Sequence, residues 1–125
     1  LLRYDEKERC NYQYIVLEID PAEVKIPRDC IVDVLHAENV VARRYFHPGC
    51  HRMEPYRSFF PHAGLLLPET EKLAGRVICL PAGSSVGENL VPKICAILRT
   101  VVRNGREVAA RLEKRRNSAT SPPVR

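Results

Sequence analysis

The run from His47 to Leu67 reads His-Pro-Gly-Cys-His-Arg-Met-Glu-Pro-Tyr-Arg-Ser-Phe-Phe-Pro-His-Ala-Gly-Leu-Leu-Leu, with neither the period of a helix nor the alternation of a strand. Compact domains seldom hold a connection of that length without structure of its own, and those that do generally use it. A chain of 125 residues supports one domain and is too short for a two-domain cofactor enzyme. The segment therefore divides the fold in two and is the first place to look for a site.

On its N-terminal side, Tyr12 to Ile19 is aromatic and β-branched, and Asp20-Pro21 stops it, which predicts a strand. Pro27-Arg28-Asp29 then opens a segment in which Ile31, Val34, Leu35 and Glu38 share a helical face. Asp29 suits the positive end of the helix dipole, and Asn39 suits a left-handed C-terminal cap. Val40 to Phe46 is expected as a second strand. On the C-terminal side, Pro68 to Ala74 reads as a short helix with acids in its first turn, and Arg76 to Leu80 as a brief strand closed by Pro81.

The last helix has two candidate starts. A capping box at Ser85 would place Pro92 inside the helix, at a cost of about 3 kcal/mol, whereas Asn89 as N-cap places Pro92 at the third helical position, where no N–H is needed. The later start aligns Leu90, Ile94, Ile97, Leu98 and Val101 as a core stripe. Gly105 is a possible interruption. Residues 107–116 extend the helix as a basic segment, and Asn117 to Arg125 is expected to be disordered. The expectation is an α/β (α+β) domain over residues 1–104, ordered β-α-β-long loop-α-β-α, with a tail at 105–125 removable after about Arg103.

Charge supports that division. Residues 99–125 carry eight Lys or Arg against Glu107 and Glu113, a net of +6, while residues 1–98 carry twelve basic and thirteen acidic side chains. The tail has no aromatic residue to stack on bases, so a nucleic-acid partner is not expected. No run approaches the roughly 20 apolar residues of a membrane span, so neither is a membrane. Five cysteines without a C-x-x-C pair or a secretion signal predict reduced thiols in a cytoplasmic protein, with Cys79 and Cys95 as small core residues. The N-terminus shows neither an initiator Met nor a signal-peptide core, which leads to the expectation of a piece of a longer protein.

The residues that could carry chemistry each have a plainer alternative. His47, Cys50 and His51 could ligate zinc, but a second ligand pair is missing, and no metal is expected. Arg43 and Arg44 are adjacent on a strand, so at most one can face a given pocket, where its guanidinium would suit phosphate oxygens; both could also be solvated strand-end charges. Pro81-Ala82-Gly83-Ser84-Ser85 lacks the lysine and spacing of a P-loop. Lys7, Lys25, Lys72, Lys93 and Lys114 all lie in polar or helix-surface contexts, so none is a credible imine-forming lysine and no catalytic or cofactor-binding residue is assigned.

Taken together, Asn11 to Leu17, Arg28-Asp29 opening a helix, the block from Ala37 to Arg57, and Leu67 to Ala74 with Leu80-Pro81 resemble the DegT/DnrJ/EryC1/StrS aminotransferases. The similarity covers about residues 9–102, and the block from Arg43 to Arg57 followed by Leu-Pro-Glu-Thr-Glu is its specific part. The resemblance implies the C-terminal small domain of the aspartate aminotransferase fold (fold type I). It implies pyridoxal phosphate as the cofactor of the intact enzyme, a nucleoside-diphosphate keto-sugar as substrate, glutamate as amino donor and a homodimer. The catalytic lysine and the phosphate-binding residues would belong to a large N-terminal domain that this chain lacks, leaving it inactive alone.

Mapped onto the family's loop, Phe46, Pro48, His51 and Tyr56 lie near the active-site mouth. The resemblance implies that His51 touches the sugar or a phosphate, that Arg43 or Arg44 reaches the diphosphate, that Tyr56 shapes the pocket and that Phe46 helps line it. A stand-alone, non-catalytic sugar-nucleotide-binding module is the alternative reading.

Overall fold

The computed structural model describes residues 3–5, 7–84 and 86–120, the last two by their backbone only. Its elements, in chain order, are β1 (Ile15–Glu18), α1 (Pro21–Val24), α2 (Arg28–Ala37), β2 (Arg43–Arg44), a 3-10 turn (Cys50–Arg52), α3 (Tyr56–Phe59), α4 (Ala63–Leu66), α5 (Pro68–Ala74), β3 (Val77–Leu80), α6 (Leu90–Arg103) and α7 (Gly105–Thr120). The three strands form one antiparallel sheet in the order β1-β3-β2. The two strands flanking α2 are thus not neighbours, because the later β3 inserts between them.

The mixed α/β character and the main helices follow the sequence pattern. Ile31 and Leu35 of α2 are fully buried, and Asn39 takes the left-handed conformation at φ 59°. Helix α2 packs against β3 on one side and α6 and α7 on the other, which explains why Cys30 and Val32, outside the predicted stripe, are buried too. Asn89 precedes α6 as expected, although its side chain makes no capping hydrogen bond. Val101 is buried and Ile97 and Leu98 pack on the core, but Leu90 at the helix start is exposed.

The strands are shorter than predicted. Tyr12 has φ 49° and Gln13 N–H is taken by Asn11 Oδ1 at 3.1 Å, so residues 12–14 do not join the ladder. Strand β2 keeps only Arg43 and Arg44. A tight turn from Ala42 N to Val40 O (2.8 Å) precedes it, and the positive φ of Phe46 follows.

Two expectations are corrected. The run from His47 to Leu67 contains the 3-10 turn, α3 and α4, one-turn helices closed by local bonds such as Phe60 N to Tyr56 O at 2.8 Å, in place of a loop without structure. The tail beyond residue 104 is no loose appendage: Val108, Ala109 and Leu112 of α7 pack on the core, and Arg116 pairs with Asp33 of α2. Residues 117–120 are helical where disorder was expected, and residues 121–125 lie outside the described residues.

Pleating decides what each side of the sheet does. Ile78 and Leu80 face α2 and the core, while Val77 and Cys79 face the opposite side. That opposite side is where the cavities lined by Val77 and by Cys79 open.

Candidate functional site

Two cavities meet at His51. The larger, about 770 Å³, is an apolar groove over Val16 and Val77 of the sheet, walled by Tyr14, Tyr45 and Phe46 and closed by Leu73 of α5. Its aromatic wall is continuous: the Tyr14 and Tyr45 rings lie 5.4 Å apart, and Tyr45 and Phe46 lie 4.1 Å apart. The second cavity, about 560 Å³, is lined by Pro48, Arg52, Arg57 and His62, with both arginines ion-paired, Arg52 to Glu71 and Arg57 to Glu54. His51 lines both.

The His51 side chain is only 9% exposed. Its Nε2 lies 2.5 Å from Glu71 Oε1 on α5, and Arg52 grips the same carboxylate with Nε at 2.5 Å and a terminal nitrogen at 2.8 Å. The hydrogen bonds from Arg52 and His51, with their charges, hold the Glu71 carboxyl down at about 2. A carboxylate with that partner set is ionised at neutral pH. Gly49, at φ 92°, makes room for the ring: a Cβ there would lie 2.8 Å from His51 Cε1.

The two arginines part company as strand alternation requires. Arg43 pairs in register with Cys79, faces the cavity side, and lines a separate hollow of about 320 Å³ with Gln13, Val41 and Pro81. Arg44 pairs with Ile78 and faces α2, where its Nε donates to Asp29 at 2.6 Å and a terminal nitrogen reaches Asp33 at 3.5 Å. Burial pushes the Asp29 carboxyl up, but the Arg44 bond and the charges of Arg28, Arg44 and His47 outweigh it and hold Asp29 below its usual value.

The structure thus brings Phe46 and His51 into one groove and places Arg43 in a neighbouring hollow. Arg44 is engaged in a structural ion pair, and Tyr56, half-exposed at the start of α3, lines none of these cavities. Sequence reasoning overlooked Glu71 and Arg52. One signal was available: the basic pair His51-Arg52 needs a counter-charge, and only Glu54, Glu69 and Glu71 lie between it and β3.

Residues 2–99 match the family model of the DegT/DnrJ/EryC1/StrS aminotransferases. The chain belongs to that family.

Among characterised DegT/DnrJ/EryC1/StrS relatives, the dTDP-4-amino-4,6-dideoxy-D-glucose transaminase of Escherichia coli is 32% identical over 88 residues, covering 70% of this chain and 24% of the relative. The crystal structure of DesI with its TDP-sugar product matches at a TM-score of 0.74 and 47% identity, over 82% of this chain and 26% of DesI. The chain spans about a quarter of each relative. The family is generally dependent on pyridoxal phosphate, a cofactor that enzymes hold through a lysine imine. The residues present here do not fit that attachment: all five lysines are exposed, and none lines the groove or the second cavity beside His51.

Proposed function

We propose that this chain is the small domain of a pyridoxal-phosphate-dependent sugar aminotransferase and forms the sugar-facing wall of its substrate site. The observation that carries the reading is the fold match to DesI at 47% identity, with the apolar groove and His51 on the side of the sheet away from its core. The substrate class is a nucleoside-diphosphate keto-deoxysugar, with glutamate as amino donor and a homodimer as the working form. The lysine that carries the cofactor belongs to another part of the enzyme.

Within that enzyme the chain's residues have separate tasks. The aromatic wall of Tyr14, Tyr45 and Phe46 offers apolar faces to the methyl-bearing side of a deoxysugar. His51 supplies a polar contact within that wall, and Arg43 offers a guanidinium to the diphosphate from the adjacent hollow. Arg44 is released from the substrate role and holds β2 to α2.

Two measurements on the isolated chain test this. Titration with a thymidine-diphosphate-linked 6-deoxyhexose is expected to give saturable shifts at Phe46 and His51, and their absence at millimolar ligand contradicts the reading. Incubation with pyridoxal phosphate and borohydride is expected to leave no single lysine trapped in stoichiometric yield; one so trapped would show that the chain carries its own imine-forming residue.

A further inference from the structure

The two ring nitrogens of His51 are in different situations. Nε2 faces Glu71, an ionised carboxylate that only accepts, so Nε2 is the nitrogen that donates. Nδ1 makes no hydrogen bond among the described residues. It is not sealed off either: among the described residues the one buried side-chain nitrogen or oxygen without a hydrogen bond is Nε of Arg28, which lies 2.8 Å from Asp29 Oδ1 in an ion pair. The Cε1–Nδ1 edge lies against Gly49, on the wall of the apolar groove, where a Cβ at 49 would come within 3.1 Å of Nδ1.

We propose that Glu71 is a positioning residue that fixes His51 with its proton on Nε2, so that Nδ1 offers a lone pair to the groove and selects a ligand hydroxyl there, not a phosphate oxygen. A neutral imidazole carries one donor and one acceptor, and the partner of one nitrogen sets the state of the other. A phosphate oxygen brings no proton to an acceptor, whereas a sugar hydroxyl does. The wall around it is largely aromatic, which makes this lone pair a polar reading head within the groove. The inference rests on the reading that this groove takes the sugar of a sugar nucleotide.

Long-range nitrogen–proton spectra of histidine-labelled chain provide the test, recorded at alkaline pH once a further rise no longer changes the His51 shifts and the ring is neutral. The expected result is a single tautomer at His51, with Nε2 pyrrole-like and Nδ1 pyridine-like. Glu71→Ala should draw the two shifts together, while Arg52→Gln, which keeps the Glu71 bond, should leave them apart. A pyrrole-like Nδ1, an averaged pair in the unaltered chain, or a folded Glu71→Ala variant with unchanged shifts overturns the proposal. Should Glu71→Ala fail to fold, the spectrum of the unaltered chain still decides.

Adding a thymidine-diphosphate-linked 6-deoxyhexose should move Nδ1, and thymidine diphosphate or inorganic phosphate should not. If Tyr14 and Phe46 shift saturably while Nδ1 stays put, the hydroxyl contact is wrong and the groove reading stands. If no groove signal moves, the groove reading itself fails.

Discussion

Gly105 lies against the carbonyl of Val24 so closely that a Cβ on it would sit 2.3 Å from that oxygen, with Ile26 Cβ a further 3.3 Å contact. The start of α7 is thereby seated on the turn between α1 and α2. Backbone cannot yield as a flexible side chain can, so Gly105→Ala is expected to destabilise the fold by about 1–3 kcal/mol, as overpacking generally does. Urea denaturation checks it, and an unchanged midpoint would show that α7 is not held there.

Truncation after Arg103 follows from the same seating. It removes the partly buried Val108 and Leu112 from the core and the Arg116 partner from Asp33. The expected loss is about 2–3 kcal/mol, counting each side chain at about half of full burial. A truncated chain with the stability of the full one would restore the view of residues 105–125 as dispensable.

The acid limb of stability should carry the signature of Glu71. Its carboxyl is held at about 2, against an ordinary value of 4.5, by Arg52 and His51. The folded state thus binds this proton more weakly than the unfolded state. The contribution is fully present above about pH 4.5 and disappears as the pH falls toward 2. Glu71→Gln should flatten the stability profile across that window in urea midpoints taken at successive pH values; identical slopes for the two proteins would refute the assignment.

Arg43 and Arg44 should behave as opposites despite being neighbours. Arg44→Gln breaks partly exposed ion pairs to Asp29 and Asp33 and is expected to cost up to about 1 kcal/mol of stability, leaving the groove's response to a sugar nucleotide intact. Arg43→Gln should leave the unfolding free energy within about 0.5 kcal/mol of its original value and weaken the response to the diphosphate. The reverse pattern would mean that the register of β2 on β3 has been misread.

What could be read from the sequence was local. Helix α2, α5, strand β3 and the start of α6 are each marked by their own residues: a period, a proline, an acid in the first turn. The alternation of Arg43 and Arg44 was legible, but which one faces the cavities depends on pairing with Cys79 and Ile78, thirty-odd residues away. The helices α3 and α4 are single turns, too short to show a period. In α7, Val108, Ala109 and Leu112 are few among many charges, so the segment reads as solvated until α2 and α6 are in place. The bond from His51 to Glu71 spans twenty residues and belongs to tertiary structure alone.

A chain that furnishes the sugar-facing part of an aminotransferase should work when set into one. The measurement is made on a hybrid in which the chain replaces the equivalent quarter of DesI, assayed with pyridoxal phosphate, glutamate and a thymidine-diphosphate-linked keto-6-deoxyhexose. The expected result is an amino-sugar product whose yield falls when His51 is changed to alanine. A folded hybrid that binds the cofactor and forms no amino sugar, or one indifferent to His51, would contradict it.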